Sequence, residues 1–199
     1  MRILLVGASG TIGRAIAAAF RPRHDVVEAS RHKSRERVDI TDEDSVRYLY
    51  HRLGRFDAVV NASGQAAWKP LSELTDQDFA FSLRSKLMGQ INLVRVGVSE
   101  VNDGGSFTLT SGILAQQPAP GSAAVTLVNA GVEAFARAAA LELPRGIRIN
   151  VVSPPWVSET LRAMGRDPAG GLPAAEVAKS YAESVEGTQT GQVIVPTRR

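Results

Sequence analysis

The chain has 199 residues, a formal net charge of +3, 44% hydrophobic residues and 22% charged residues. This length and composition predict a single domain over residues 1–199 with a full apolar core, and they exclude a disordered or fibrous chain. Because the sequence contains no cysteine, disulfides, thiolate metal ligands and cysteine nucleophiles are excluded as well.

Metal sites and membrane segments are not expected either. The three histidines, His24, His32 and His51, are scattered in polar stretches and form no HExxH pair, so we expect no metal site. The first apolar run, at residues 3–6, is too short for a signal peptide or a membrane span. We therefore expect a cytoplasmic protein with no membrane partner.

Apolar runs of strand length alternate with helical patterns along the chain. Parallel strands need crossover helices that cover both faces of the sheet. This alternation therefore predicts an α/β fold, a doubly wound parallel sheet of about seven strands with helices on both faces. In chain order, the predicted elements are a strand at 2–6, a helix at 11–20, strands at 25–30 and 57–61, a helix at 76–101, a strand at 106–110, a helix at 125–143 and a strand at 147–152.

A glycine-rich turn joins the first strand to the first helix. Such a turn leaves backbone N–H groups unblocked, and the helix N-terminus adds positive potential, so a pyrophosphate can bind against it. The spacing is GxxGxxG rather than GxGxxG, and glycines also occur in ordinary turns, but the position between strand and helix favours a dinucleotide site. The residues assigned to this site are Gly7, Ser9, Gly10, Thr11, Ile12 and Gly13.

The end of the second strand indicates which dinucleotide binds. In dinucleotide-binding folds, an acidic residue near this point binds the ribose 2′-hydroxyl, whereas an arginine accommodates a 2′-phosphate. This chain offers Arg31 and Lys33 there, with no acid directly after Glu28. The sequence thus favours NADP(H) over NAD(H), with Arg31 as the planar phosphate partner. The alternative interpretation is a solvated basic loop.

Two helices are candidates for a subunit contact. In helix 76–101 the apolar residues recur at steps of three and four, which marks one helical face, and the Asn-Asp-Gly-Gly run at 102–105 predicts its end. Helix 125–143 is rich in alanine, and small residues allow another helix to approach closely. We expect a homo-oligomer that forms through these helices; ordinary packing within one domain is the alternative.

Taken together, these motifs resemble those of the short-chain dehydrogenase/reductase family over nearly the whole chain. The resemblance rests on the glycine turn and on the segments Asp-Ile-Thr at 39–41, Asn-Ala-Ser-Gly at 61–64, Leu-Thr-Ser at 109–111 and Asn-Val-Val-Ser-Pro at 150–154. It implies a Rossmann-type domain with a last strand at 190–195. The further cofactor contacts that it implies are Asp39 and Ile40 at the adenine, Asn61, Ala62, Ser63 and Gly64 beside the ribose, and Pro154 and Val157 at the nicotinamide carboxamide.

Two regions are shorter than the family pattern. Between Arg31 and Asp39 there is no room for the usual crossover helix. The substrate-covering segment after Val157 is brief, and the irregular stretch at about 155–173 is predicted to be a loop over a site. The resemblance therefore implies a complete cofactor half and a reduced substrate half.

The family's catalytic set does not match this chain. In the family, a tyrosine transfers the substrate proton, a lysine four residues later lowers the pKa of that tyrosine, a serine binds the carbonyl oxygen, and an asparagine on the preceding helix completes the set. The corresponding positions are Lys86 for the asparagine, Ser111 for the serine, Val125 for the tyrosine and Asn129 for the lysine. This pattern resembles a small subgroup of the family, of undetermined function, that lacks the standard active-site residues.

Lys86, Ser111 and Asn129 remain as the catalytic candidates. The pKa of a lysine is normally near 10.4, and it must fall by about three units if the lysine is to act as an acid near neutrality. Burial beside a cationic nicotinamide favours that lower pKa. The alternative is that Lys86 only hydrogen-bonds the ribose hydroxyls or a backbone carbonyl. Ser111 is predicted to bind an oxygen, because no histidine base is in reach. Trp68 either caps a planar ligand or packs in an aromatic core or interface.

Two functions are compatible with these residues. The first is an NADP(H)-dependent oxidoreductase that acts on a small carbonyl or alcohol through a rearranged site around Lys86 and Ser111, where the cofactor carries the hydride chemistry. The second is a dinucleotide-binding protein that has lost catalysis and acts as a sensor or scaffold, with no substrate. A nucleic-acid partner is not expected, because the basic residues between 31 and 55 form no recognised reading motif.

Overall fold

The computed structural model describes residues 1–198, in which seven strands form one parallel sheet. The strands are β1 (Arg2–Val6), β2 (Asp25–Ser30), β3 (Glu36–Arg37), β4 (Phe56–Asn61), β5 (Val101–Thr110), β6 (Arg148–Val152) and β7 (Val193–Ile194). The α-helices are α1 (Thr11–Phe20), α2 (Glu43–Leu53), α3 (Asp76–Ser82), α4 (Gly89–Gly97), α5 (Ala123–Ala139), α6 (Ser158–Ala163) and α7 (Ala174–Glu186). The predicted doubly wound α/β sheet is confirmed.

The strand order reverses between β1 and β4. Across the sheet the order is β3-β2-β1-β4-β5-β6-β7. The chain therefore moves outward from β1 to β3 and then returns to pair β4 with the free side of β1. In open α/β sheets, such a reversal leaves a crevice at the carboxyl ends of the two strands, where ligands bind.

Alternate residues of the central strands feed two separate cores. Leu4 of β1 packs with α2, α4 and α5 on one face of the sheet. Its neighbours Ile3 and Leu5 pack with α1 and α7 on the other face. This near-continuous apolar sequence is what a parallel strand needs when both of its faces are buried. The rigid sheet fixes the positions of the loops at its carboxyl end.

The prediction of one helix over 76–101 is wrong at its end and in its middle. The helical run stops at Gly97, and the predicted stop signal at 102–105 lies inside β5. A Cβ at Gly105 would lie 2.6 Å from the Asp57 carbonyl oxygen, so the glycine serves a close approach of β5 to β4 where their register shifts. Between α3 and α4 the chain forms a π-helical segment, Leu83–Met88.

Three other predicted elements differ in extent. The stretch 155–173, predicted to be a loop, contains α6 and a short 3-10 turn, and is tied down by a β-bridge between Val157 and Leu172. The last strand spans two residues rather than 190–195. The helix predicted at 125–143 covers 123–139. Where the crossover helix is missing after β2, the two-residue strand β3 extends the sheet.

The helices predicted to form a subunit contact carry partly exposed apolar side chains. Phe81, Leu83 and Met88 on α3 and the π-helical segment, and Leu127 on α5, are each 37–48% exposed. The oligomeric contact stays a prediction. Within residues 1–198, no helix is both long and apolar enough to cross a bilayer, and no group of three His, Asp or Glu side chains is placed to hold a metal ion.

Candidate functional site

The glycine turn packs its backbone against the end of β4. Gly7 has a φ of +85°, and a Cβ there would lie 2.7 Å from the Ala62 backbone. A Cβ at Gly13 would lie 2.1 Å from the Gly7 carbonyl oxygen. Helix α1 begins after Gly10, which makes no side-chain cap, and its first turn has no acidic residue. The uncapped N–H groups and the helix dipole fit a diphosphate.

An open cavity of about 400 Å³, called cavity 1 here, runs from this turn along the ends of β1, β2 and β4. The predicted cofactor residues that line it are Gly7, Ser9, Gly10, Arg31, Asp39, Ile40, Ala62, Ser63 and Gly64. Ile12 lies in the second cavity, described below. Thr11, Gly13 and Asn61 line neither cavity. The contacts with a cofactor stay predictions for all of them.

The basic and acidic residues that the sequence assigned to opposite ends of the adenosine are paired in cavity 1. A guanidinium nitrogen of Arg31 lies 2.5 Å from a carboxylate oxygen of Asp39. The other Asp39 oxygen accepts hydrogen bonds from the N–H and hydroxyl of Thr41. Burial works to raise the pKa of Asp39, but the Thr41 hydrogen bonds and the Arg31 charge outweigh it and hold that pKa below its usual value.

Asn61 shapes the turn after β4 instead of lining a cavity. Its amide donates to the Ser63 carbonyl oxygen at 3.0 Å and accepts from the Ser63 hydroxyl at 2.6 Å. The next residue, Gly64, has a φ of +117°, and a Cβ there would lie 2.9 Å from the Lys86 side chain. The glycine therefore gives Lys86 the space to lie across the end of β4.

A second cavity of about 340 Å³, called cavity 2, continues from cavity 1 beyond Ala62, Ser63 and Gly64, which line both. The predicted site residues in cavity 2 are Ile12, Lys86, Ser111, Val125, Asn129, Pro154 and Val157. They come from α1, the π-helical segment, the position directly after β5, α5 and the loop after β6. The structure therefore brings all three catalytic candidates to one cavity.

The π-helical segment positions Lys86. A π-turn leaves carbonyl groups without their usual partners and is common at functional sites. Here the buried amide of Gln90 donates to the carbonyl oxygens of Lys86, at 2.9 Å, and Thr110, at 2.8 Å, and accepts from the Thr110 N–H. Within residues 1–198, the Lys86 amino group has no hydrogen-bond or ion-pair partner, and burial lowers its pKa to about 8.

The low pKa of Lys86 predicts a pH-dependent effect on stability. Folding lowers the pKa of Lys86 from 10.5 to about 8. The protonated lysine therefore lowers the free energy of unfolding, which is a penalty on stability. This penalty is fully present below about pH 8 and disappears as the pH rises to about 10.5. We expect Lys86→Met to raise Tm below pH 8, with a gain over wild type that shrinks towards pH 10.5. Thermal unfolding across this range measures it; a constant difference would contradict the low pKa.

Ser111 has a buried partner that the sequence reading missed. Its hydroxyl donates to a carboxylate oxygen of Glu133 at 2.7 Å, and the amide of Gln116 donates to the other oxygen. Glu133 is 3% exposed. The spacing of Glu133 could have indicated this contact. Glu133 follows Asn129 by four residues on α5 and therefore lies on the same helix face.

Asn129 replaces the expected lysine with a neutral amide. Its side chain is 3% exposed, and its carbonyl oxygen Oδ1 has no hydrogen-bond partner within residues 1–198. A buried polar atom without a partner is uncommon and destabilising in folded proteins. Since Asn129 lines cavity 2, a ligand donor or a bound water there would satisfy this oxygen.

No tyrosine among residues 1–198 lines cavity 2 in place of Val125. Tyr181 contacts Thr110, a residue that lines cavity 2, with its hydroxyl 2.6 Å from Thr110 Oγ1. It is fully buried, and burial raises its pKa. It is therefore unsuited to proton transfer with a ligand in the cavity.

Aromatic side chains border the outer end of cavity 2. Trp156 lines the cavity, and its ring centroid lies 5.7 Å from that of Trp68. The Arg166 guanidinium lies 5.1 Å from the Trp156 ring. Trp68 is therefore part of an aromatic pair beside the cavity, which is compatible with capping a planar ligand.

Comparisons with known proteins agree with this architecture. A family model described as enoyl-(acyl carrier protein) reductase matches residues 16–195. The hydroxynaphthalene reductase arp2 of Aspergillus fumigatus is 30% identical over 164 residues, which are 78% of this chain and 59% of that protein. The chain thus spans about three fifths of the length of that relative.

Two solved structures are similar over nearly their whole length. The protein lin1944 from Listeria innocua has 45% identity and a TM-score of 0.94, with 98% of each chain covered. A small-chain dehydrogenase in complex with NADPH has 25% identity and a TM-score of 0.86, with 98% of this chain and 95% of that chain covered. Membership of the subgroup that lacks the catalytic tyrosine and lysine stays a prediction. The sheet, the crevice and the matched family model together establish that this chain belongs to the short-chain dehydrogenase/reductase family.

Proposed function

We propose that the protein is an NADP(H)-dependent oxidoreductase that acts on a small carbonyl or alcohol through a non-standard active site. The observation that carries this proposal is the junction of the two cavities at 62–64. One has the glycine turn and Arg31, and the other has Lys86, Ser111 and Asn129. The NADPH complex of the similar small-chain dehydrogenase supports the choice of cofactor.

The residues of cavity 1 suit the phosphorylated half of NADP(H). The N-terminus of α1 and the turn after β1 would hold the diphosphate. Arg31, whose side chain is 56% exposed, would bind the 2′-phosphate while Asp39 orients its guanidinium. A planar guanidinium can contact both groups through separate N–H donors.

The residues of cavity 2 would act on the substrate oxygen. The bound dinucleotide supplies or accepts the hydride. Lys86, as an ammonium without a protein partner, donates a hydrogen bond to the substrate oxygen and stabilises the negative charge that develops on it. Ser111, which directly follows β5, lies beside the same oxygen, and the free carbonyl oxygen of Asn129 accepts a hydrogen bond from the nicotinamide half or a water.

A catalytically inactive dinucleotide-binding protein is the second candidate. The observation that favours it is the presence of Val125 and Asn129 where the family has its tyrosine and lysine. Such a protein would report cofactor state or support a partner, and it would bind NADPH without consuming it.

One experiment separates these two functions. NADPH and NADH are first titrated by fluorescence. The absorbance of NADPH is then followed as it is consumed with a panel of aldehydes, ketones and quinones, and as it forms from NADP⁺ with the matching alcohols. Tight NADPH binding with turnover supports the oxidoreductase. Tight binding without turnover across the panel supports the binding protein, and failure to bind either nucleotide contradicts both.

Arg31→Ala tests the choice between NADP(H) and NAD(H). We expect the variant to weaken NADPH binding by about 2 kcal/mol, the value of a charge-assisted hydrogen bond, and to leave NADH nearly unchanged. Removing Arg31 also leaves Asp39 without its cation next to the 2′-phosphate. Arg35→Ala is the matched control, because the Arg35 side chain is 96% exposed and outside the lining of cavity 1. Equal losses for both nucleotides would contradict the assignment.

A further inference from the structure

The hydrogen-bonded pair Ser111–Glu133 has a cost that its packing does not explain. Glu133 lies beneath cavity 2 with 3% of its surface exposed. Within residues 1–198, no lysine, arginine or histidine lies close enough to form an ion pair with it; its partners are the neutral donors of Ser111 and Gln116. A buried carboxylate without a cation is destabilising, and an apolar residue on an alanine-rich helix would avoid that cost.

The pair also determines what Ser111 offers to a ligand. A serine hydroxyl has one proton and two lone pairs. The proton of Ser111 points at Glu133, at an Oγ to Oε1 distance of 2.7 Å. The amide of Gln116 donates to the second carboxylate oxygen, so that oxygen has its own partner. Ser111 therefore offers lone pairs to cavity 2, and a lone pair binds a hydroxyl group but not a carbonyl oxygen.

We propose that Ser111 and Glu133 form a proton relay that accepts the proton of a substrate hydroxyl, so that the substrate which this site selects is an alcohol. This inference rests on the proposed function and names the substrate class and the proton acceptor for it. It reverses the role that the family resemblance implies for Ser111, where the serine binds a carbonyl oxygen.

The atoms balance in a single oxidation. The substrate C–H bond breaks, and its electron pair leaves with the hydrogen as hydride to the NADP⁺ that the proposed function supplies. The O–H bond breaks as the carbonyl forms, and its proton moves to Ser111 Oγ while the Ser111 proton moves to Glu133. Glu133 ends protonated, and its proton returns through Ser111 to water that enters cavity 2 when the product leaves.

Lys86 and Asn129 complement this relay rather than replace it. A charged Lys86 can only donate, so it binds the substrate oxygen from another side while Ser111 accepts the proton. The Asn129 amide neither gains nor loses a proton near neutral pH. Of the polar side chains described at this end of β5, Glu133 is thus the carboxylate in contact with Ser111, and it provides a proton acceptor without a tyrosine.

The state of Glu133 is tested first, without cofactor or substrate. Infrared difference spectra between wild type and Glu133→Gln are expected to show the loss of a carboxylate stretching band. Loss of a carboxylic-acid C=O band instead would overturn the proposal, because a protonated Glu133 would donate to Ser111. If Glu133→Gln does not fold, the same bands are followed in Ser111→Ala protein labelled with ¹³C-glutamate, where the carboxylate band must shift.

Ligand preference tests the substrate class. Calorimetry on the protein loaded with a redox-inert NADP(H) analogue, which blocks hydride transfer during the titration, compares 1-tetralol with 1-tetralone, which differ in the group that meets Ser111. Wild type is expected to bind the alcohol about tenfold more tightly, the value of one hydrogen bond, and both Glu133→Gln and Ser111→Ala are expected to lose that preference. Glu142→Gln is the control, because Glu142 is exposed just beyond α5, and it must keep the preference.

The outcomes separate this inference from the proposed function. Equal affinities in wild type, a preference for the ketone, or no binding of either probe would overturn the alcohol selection. Absence of NADP⁺ binding would overturn the proposed function, and the infrared result would still decide whether Ser111 offers an acceptor to cavity 2.

Discussion

Lys86→Met is expected to lower kcat by about 100-fold to 1,000-fold with whichever substrate turns over. Removing one donor from the site where charge develops on an oxygen costs about this much in other enzymes. Lys86 is the cationic side chain in the lining of cavity 2, and Met has nearly the same length without the charge. NADPH affinity is expected to stay within about threefold of wild type, because we expect most of that affinity to come from contacts in cavity 1.

The measurement is steady-state kinetics together with fluorescence titration of NADPH. Arg84→Met is the matched control: Arg84 belongs to the same π-helical segment, is exposed and does not line the cavity. The control must keep wild-type turnover. Retained kcat in Lys86→Met would remove Lys86 from the reaction, and a loss of NADPH affinity equal to the loss of kcat would assign it to cofactor binding alone.

The first βαβ unit was predictable because its signals are local. Strand β1, the glycine turn and α1 follow one another within 20 residues, and each has a direct pattern: an apolar run, glycines and a helical period. The position of Arg31 at the end of β2 follows from the same counting. The parallel, doubly wound sheet follows from the crossover pattern, whereas the order of its strands comes from the structure.

The parts that sequence reading missed depend on contacts between distant residues. The π-helical segment has the same apolar spacing as an ordinary helix, and what accompanies it is a buried Gln90 that bonds to β5. The glycines at 104–105 predict a helix stop, because the close approach of β5 to β4 joins residues that are distant in the sequence. Glu133 likewise reads as one acid on an alanine-rich helix until Ser111 is placed beside it.

The pairing of Arg31 with Asp39 shows the same limit at the cofactor site. Each residue was assigned a separate contact on the dinucleotide, eight positions apart along the chain. Because β3 replaces a crossover helix, the chain turns back at once, and the two side chains meet at 2.5 Å. We therefore expect nucleotide choice to depend on the pair, since the carboxylate that orients the guanidinium would also repel a 2′-phosphate if the guanidinium were removed.

Gly13→Ala is expected to destabilise the fold by at least about 3 kcal/mol and to abolish NADPH binding. The new Cβ would lie 2.1 Å from the Gly7 carbonyl oxygen and 2.8 Å from the Ala8 Cα. Both are backbone atoms beside the buried end of β1, so no side chain can move aside, and α1 must shift away from the sheet. That shift would also displace the N–H groups that the diphosphate needs.

Gly10→Ala is the matched control for this substitution. Its Cβ would meet nothing closer than the Gly7 oxygen at 3.4 Å, and Gly10 has a φ of −78°, which alanine adopts without strain. In urea, the free energy of unfolding of Gly10→Ala should therefore be close to that of wild type, and that of Gly13→Ala should be far lower. In thermal unfolding, Gly13→Ala should show a fall in Tm of about 10 °C. A Gly13→Ala protein that unfolds with wild type would show that α1 does not press on the turn. The diphosphate site would then have to be formed by a looser loop than the backbone contacts of Gly7 and Gly13 describe.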